Sequence, residues 1–460
     1  MKKYIIVLIM IFSFIANAQV VNIITKHNEI EFYNEKNEKI EKLKEVVNKD
    51  EDNIKHGDLY IELSDGSTVE GKYIFGYIEG KLVIKNKNGI KIYNYIKNLK
   101  DGECIVKLKN GTYAKKIYKD GVLNGKSIFK FKDIVIEKNY IYGLENGITK
   151  IETKDGIMYM PMVYGEAIGK LKIKFKDGTI LSGNIRGKYN GLFELVMPNG
   201  LKIYTTFIEN VQIGRVIVKD KNKIKVYESL KEFNDKNGYD IFKYYGEVLS
   251  LKGNKLKNGT YYSEIELGDI KKNYVYNYKD NYIDGKVQYN QYKGNKLVKQ
   301  GYYTLKKGVF EGKVNFNSVN DGVKCETVSK YKNDFFNGEY SQKCDDYSIR
   351  GFFKNGLKDG EFIIKAENHK ENLKYSKGLL LSSVKEIVGI KEYKKIKDGI
   401  IYKRQIWEVD NDKFIQDIVI AGKHRQYRKI KNGKVIYDII TTEYDDKGFD
   451  VIEYILNIDK

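Results

Sequence analysis

Lys172-Ile-Lys-Phe-Lys-Asp-Gly178-Thr-Ile-Leu-Ser-Gly183-Asn-Ile-Arg-Gly187-Lys-Tyr-Asn-Gly191-Leu-Phe193 is one copy of the pattern that decides the fold of this chain. Ile173 and Phe175 alternate with Lys172, Lys174 and Lys176, the period-two signature of a strand with one buried face. Asp177-Gly178 supplies the positive-φ turn of a tight hairpin, a second strand follows, and a looser turn is predicted at Lys188-Tyr-Asn-Gly191. One glycine series runs Gly80, Gly102, Gly125, Gly147, Gly169, Gly191 and Gly214, at steps of 22 or 23 residues. A second runs Gly66, Gly89, Gly111, Gly156, Gly178 and Gly200, with Ile134 at its missing position. Two phased series at such a period mean stacked supersecondary units. A lone hairpin is marginal in water, and stacking into one antiparallel sheet supplies the missing burial. The expected fold is all-β, an elongated antiparallel sheet advancing about 10 Å per hairpin.

Val69-Glu-Gly71-Lys-Tyr-Ile-Phe-Gly76-Tyr-Ile-Glu-Gly80-Lys81 carries a resemblance to known proteins. An apolar residue, one residue and a glycine are followed by glycines five and four positions on, and the stretch resembles a MORN repeat. Tyr278 to Lys286, Lys306 to Lys313, Tyr331 to Glu339 and Phe353 to Glu361 resemble the bacterial variant, an aromatic followed by a short Asn/Gly turn and Gly-Glu or Gly-Lys. The resemblance covers residues 57 to about 380. It implies stacked hairpins used as scaffold, membrane-associating or protein-binding modules, and some variant proteins are labelled antitoxin or immunity partners.

Met1 to Ala18 reads as a secretory signal peptide: Lys2-Lys3, an apolar stretch from Tyr4 to Ile15, then Ala16-Asn17-Ala18, with cleavage expected between Ala18 and Gln19. The product is expected to be exported, whether periplasmic, outer-membrane-associated or secreted. Residues 19–56 are predicted as a helical or disordered spacer, because Ile40, Leu43, Val46 and Val47 fall at helical spacing in a charged stretch. A regular array is predicted over 57–227, a linker over 228–240, a variant array over 241–383, and further β repeats with a terminal cap, including the single Trp407, over 384–460.

The sequence offers few groups arranged for chemistry. His27, His56, His369 and His424 are isolated, and the sequence has no zinc-ligand spacing, phosphate loop or nucleophile elbow. Asp345-Asp346 and Asp445-Asp446 read as solvated turn residues, with calcium the alternative. No enzyme activity and no cofactor are expected. Centring a hairpin on Asn333 to Gly338 puts Cys325 and Cys344 nearly opposite; a disulfide and two packed thiols both fit. Cys104 reads as a small buried apolar residue.

One surface has a physical rationale. Lys87, Lys109, Lys132, Lys154, Lys176 and Lys221 share one phase of the repeat, before or at the turn, and only Pro198 interrupts them. Lys85, Lys107, Lys130, Lys174 and Lys219 share a second phase. The formal charge is +20. Such rows suit an anionic polymer or membrane surface, and equally protect an exposed sheet from aggregation. Tyrosines crowd the variant repeats (Tyr244-Tyr245, Tyr261-Tyr262, Tyr274, Tyr276, Tyr278, Tyr302-Tyr303), as cross-strand packing or as a sugar-stacking face. The expected function is an exported, non-catalytic scaffold of the bacterial envelope, presenting a repeat face to a protein, glycan or lipid. Alternatives are an anion binder acting through the lysine row and an antitoxin-type partner. Nucleic acid is not expected for an exported chain.

Overall fold

The computed structural model describes residues 22–441 apart from short stretches within them. Met1–Ala18, the Ala18/Gln19 junction, His27 and Asp445-Asp446 lie outside the described residues. The chain divides into two compact units, Met1–Gly253 and Asn254–Lys460, and the described residues are dominated by antiparallel strands.

In the first unit the long strands pair with their sequence neighbours from Lys42–Lys49 to Lys223–Tyr227. The repeat has three pieces. Gly80–Asn86 pairs with Gly89–Ile96, whose end folds back on the two-residue arm Leu99–Lys100; Gly102 then opens the next strand. Gly80, Gly102 and Gly125 have φ of 73°, 86° and 109°. Each faces an aromatic in register: Gly80 opposite Tyr95, Gly102 opposite Tyr118, Gly125 opposite Tyr140. The positive φ of the glycine makes the bend between arm and strand. The second unit repeats the device with Gly312 opposite Tyr331, Gly338 opposite Phe353 and Gly360 opposite Tyr375.

The predicted Asp/Asn-Gly reversals are present, with Asn86 paired to Gly89 and Thr153 to Gly156 across two residues and positive φ at Gly66, Gly111, Gly178 and Gly200, but a second set of tight turns was not foreseen. Lys188 to Gly191 form no looser turn; they open the strand Lys188–Val196, and the chain reverses at Gly187, φ 66°. In the first unit, turns with positive φ at two successive positions include Phe75-Gly76, Lys97-Asn98, Asp120-Gly121, Tyr142-Gly143, Tyr164-Gly165 and Glu209-Asn210. That geometry matches the right-handed twist of the flanking strands. Non-glycine residues are held there by bonds between repeats. Before three of the series glycines the preceding residue's side chain accepts a backbone N–H from the next turn: Lys97 N–H to Glu79 at 2.8 Å, Asp120 N–H to Asp101 at 3.0 Å, Glu209 N–H to Asn190 at 2.9 Å. In the second unit Lys307 donates to Asp284, Asn333 to Glu311 and Lys377 to Asp359 in the same way.

One sheet face carries the core. Ile61, Val69 and Ile84 oppose one another in register at one end, and Ile136, Ile151, Met158 and Ile173 farther along. Two buried clusters result, one centred on Leu59 to Tyr95 and one running from Ile136 to Tyr245. In the second unit the core is a run of touching rings: Tyr274, Tyr289, Tyr303 and Phe310 pass the contact to Tyr331, Phe336, Phe353, Phe362 and Tyr375. Tyr274, Tyr276 and Tyr289 are fully buried, which favours packing over sugar stacking for these tyrosines.

Two segments correct the sequence reading. Glu29–Tyr33, Lys39–Ile40 and Lys42–Lys49 are strands, not a helical spacer. Lys42–Lys49 joins the sheet by pairing with Lys55–Leu63, with register shifts at Leu43 and Asn48; Leu43 and Val46 are exposed. Sheet pairing of the β-branched Val46-Val47 outweighs a weak helical periodicity. The expected linker 228–240 contains the helix Leu230–Asn237, followed by the short helix Phe242–Tyr245. Leu230, Phe233, Tyr244 and Tyr245 bury into the Ile136 to Tyr245 cluster, so Tyr244-Tyr245 belong to the first unit and not to the variant array. Leu249–Ser250 adds a short parallel pairing to Val211 and Gln212, and the second unit begins at Asn254 rather than 241.

The helix is capped at both ends. Ser229 Oγ accepts from Glu232 N–H at 3.1 Å, Glu232 accepts from Glu228 N–H at 2.6 Å, and Gly238 closes in the left-handed conformation. Ser229→Ala is expected to destabilise the first unit by about 1 kcal/mol, read as a lower urea midpoint.

Candidate functional site

The six phase-matched lysines come together as the sequence predicts. Lys87, Lys109, Lys132, Lys154, Lys176 and Lys221 all sit in the hairpin turns along one edge of the first sheet, and all are exposed. The turns are bonded to each other through the backbone: Lys109 N–H donates to Asn88 O at 2.8 Å, and Lys176 N–H to Asp155 O at 3.0 Å. Stacked hairpins place neighbouring members about 10 Å apart, and Lys176 and Lys221 about twice that, with the Pro198 hairpin between them. Among the described residues no acidic side chain pairs with any of the six; the Lys132 ammonium lies over the Phe131 ring.

The second row behaves differently. Lys85 pairs with Glu70 at 2.7 Å, Lys174 lies over Tyr159 and Lys219 over Tyr204, and the row runs along the face opposite the core. Lys107 and Lys130 are exposed. These lysines shield the outer face of the sheet.

The other candidates resolve into structural roles. His56 Nδ1 accepts from Phe75 N–H at 3.4 Å, and His369 lies 3.7 Å from Glu371. Asp345 accepts from Lys324 N–H at 2.9 Å and donates its own N–H to Lys324 O, a link between repeats. No His, Cys, Asp or Glu cluster suited to a metal occurs among the described residues. The side chains of Trp407 and His424 lie outside the described ones.

Cys325 and Cys344 face each other in register and form a disulfide, with Cα atoms 4.0 Å apart. They border a shallow depression of about 380 Å³ together with Lys299, Lys324, Glu326 and Lys343. Cys104 is 3% exposed, and burial pushes its thiol up, away from the reactive thiolate. One free thiol per chain is therefore expected in denaturant without reductant and three after reduction, with Cys104 slow to alkylate in the folded protein. Rapid labelling of all three in the native state would contradict the assignment.

What the sequence reading missed lies on the core face between the two apolar clusters. Lys91 is buried there opposite Val106. Lys116 is opposite Cys104, Lys138 opposite Ser127, and Lys100 opposite Tyr95. A row-by-row reading of the repeats would have found these lysines at positions that are apolar elsewhere.

No family model matches this chain, and no curated protein matches it. Among solved structures it is similar to the WD40 domain of SCAP from fission yeast, at 10% identity over 90% of this chain and 92% of that one. The TM-score is 0.12, and a likeness at that level carries no argument.

Proposed function

We propose that this chain is an exported, non-catalytic scaffold of MORN-like hairpin repeats that holds an anionic polymer of the cell envelope along its lysine-bearing turn edge. The supporting observation is the edge itself: six exposed ammonium groups at equivalent positions of stacked turns, without acidic partners among the described residues. A regular row of cations meets a regular row of anions with little loss of register, and the attraction weakens as salt screens it. Export rests on the signal-peptide reading of Met1 to Ala18, and the MORN-like assignment on the glycine and aromatic spacing. The three-piece repeat, with an aromatic opposite Gly80, Gly102, Gly125 and Gly191, supports that spacing. Co-sedimentation of Gln19–Lys460 with purified envelope fractions tests the proposal. Binding that falls as salt rises supports it; absence of binding at low salt, or binding indifferent to salt, refutes it.

A further inference from the structure

The two sulfurs of the Cys325–Cys344 bridge have unlike surroundings. Gln342 lies two positions before Cys344 on the strand Gly338–Cys344, so both side chains emerge on one face. The Gln342 amide is oriented from both ends. Its Oε1 accepts from the Tyr340 hydroxyl at 2.9 Å, and its Nε2 donates to the Tyr347 hydroxyl at 3.1 Å and to Cys344 Sγ at 3.7 Å. Among the described residues Cys325 Sγ receives no such donor. The pair is mostly buried, 8% and 9% exposed, and both cysteines line the shallow depression beside Leu297, Lys299 and Ser318. That depression gives a small thiol an approach to the bond. An N–H donor stabilises a thiolate more than a disulfide sulfur, because the negative charge makes the sulfur a better acceptor. In thiol–disulfide exchange the better-stabilised thiolate leaves, and the other sulfur takes the incoming thiol.

We propose that Cys325 is a site of S-thiolation by small thiols, with Cys344 as the leaving thiolate and Gln342 as the residue that sets the direction. The sulfur of the incoming thiolate bonds to Cys325 Sγ as the Cys325–Cys344 bond breaks. The electron pair of that bond leaves on Cys344 Sγ, where Gln342 Nε2–H meets the new charge. One thiolate and one disulfide become one mixed disulfide and one thiolate. A second small-thiol thiolate that attacks the mixed disulfide releases Cys325, so two electrons enter the pair and the small thiol leaves as its own disulfide. The site uses none of the turn-edge lysines and does not depend on the function proposed for them.

Incubation of Gln19–Lys460 with reduced glutathione in the absence of denaturant tests the site. Early samples are quenched with an alkylating reagent that traps the freed thiol, and the adducts are mapped by mass spectrometry. Glutathione is expected on Cys325 at least about threefold more than on Cys344. Gln342→Met, which keeps the length of the side chain and removes the donor, should bring the two cysteines to about equal labelling. Gln342→Glu is the second variant should Gln342→Met not fold, with the same loss of preference expected. The early rate should be insensitive to urea below the unfolding transition; a rate that climbs in step with the unfolded fraction places the exchange in the unfolded chain and overturns the site. No adduct, an adduct equally or mainly on Cys344 in the wild type, or an unchanged preference in the folded variant also overturns the proposal.

Discussion

Gly183→Val is expected to cost the first unit about 3 kcal/mol or more, at the upper end of overpacking effects. Gly183 lies inside the strand Ile180–Arg186, opposite Phe193. A Cβ there would come within 2.4 Å of the Phe193 ring. That ring has no way to yield: it is fully buried, stacked on Tyr189 at 4.5 Å and edge-on to Phe207 at 5.3 Å. The urea midpoint followed by far-ultraviolet circular dichroism reads the loss. Pairing Gly183→Ala with Phe193→Leu should recover part of the cost of Gly183→Ala, because the smaller side chain vacates the space the methyl needs. A Gly183→Val protein as stable as the wild type would mean that the strand does not pack against Phe193.

Removing the disulfide is expected to cost the second unit a similar amount. Cys325 and Cys344 are 19 residues apart, and opening a loop of that length releases roughly 3 kcal/mol of denatured-state constraint at room temperature. The pair lies in the antiparallel ladder between Val323–Lys332 and Gly338–Cys344, so its loss also loosens the joint between two repeats. Denaturation with and without reductant, against a Cys325→Ala/Cys344→Ala control, measures it. Reductant should lower the wild-type midpoint and leave the control unchanged.

The all-β architecture was legible because glycine and period-two patterning are local and repeated many times. The lysine edge was legible for the same reason, since residues at one phase of a stacked repeat must share an edge. The roles of single residues were not. Glu79, Asp101 and Asp359 look like ordinary turn acids, and only the stacking of one repeat on the next shows that each holds the following turn. Ile40 to Val47 carried a helix-like period, but the sheet beside it offered a ladder that an isolated short helix lacks. Ser229-Leu-Lys-Glu232 is a capping signal that the acidic composition around it masked. Lys100, Lys116 and Lys138 escaped notice because no linear motif joins them; register puts each on the core face, opposite Tyr95, Cys104 and Ser127.

The most direct test of the central claim compares two charge-matched variants of Gln19–Lys460 for binding to a soluble anionic glycan polymer across a salt series. In one, Lys87, Lys109, Lys132, Lys154 and Lys176 become glutamine; in the other, Lys85, Lys107, Lys130, Lys174 and Lys219 do. Loss of binding in the first and retention in the second is the predicted result. Equal loss in both would reduce the interaction to net charge, and retention in both would remove the turn edge as the binding surface.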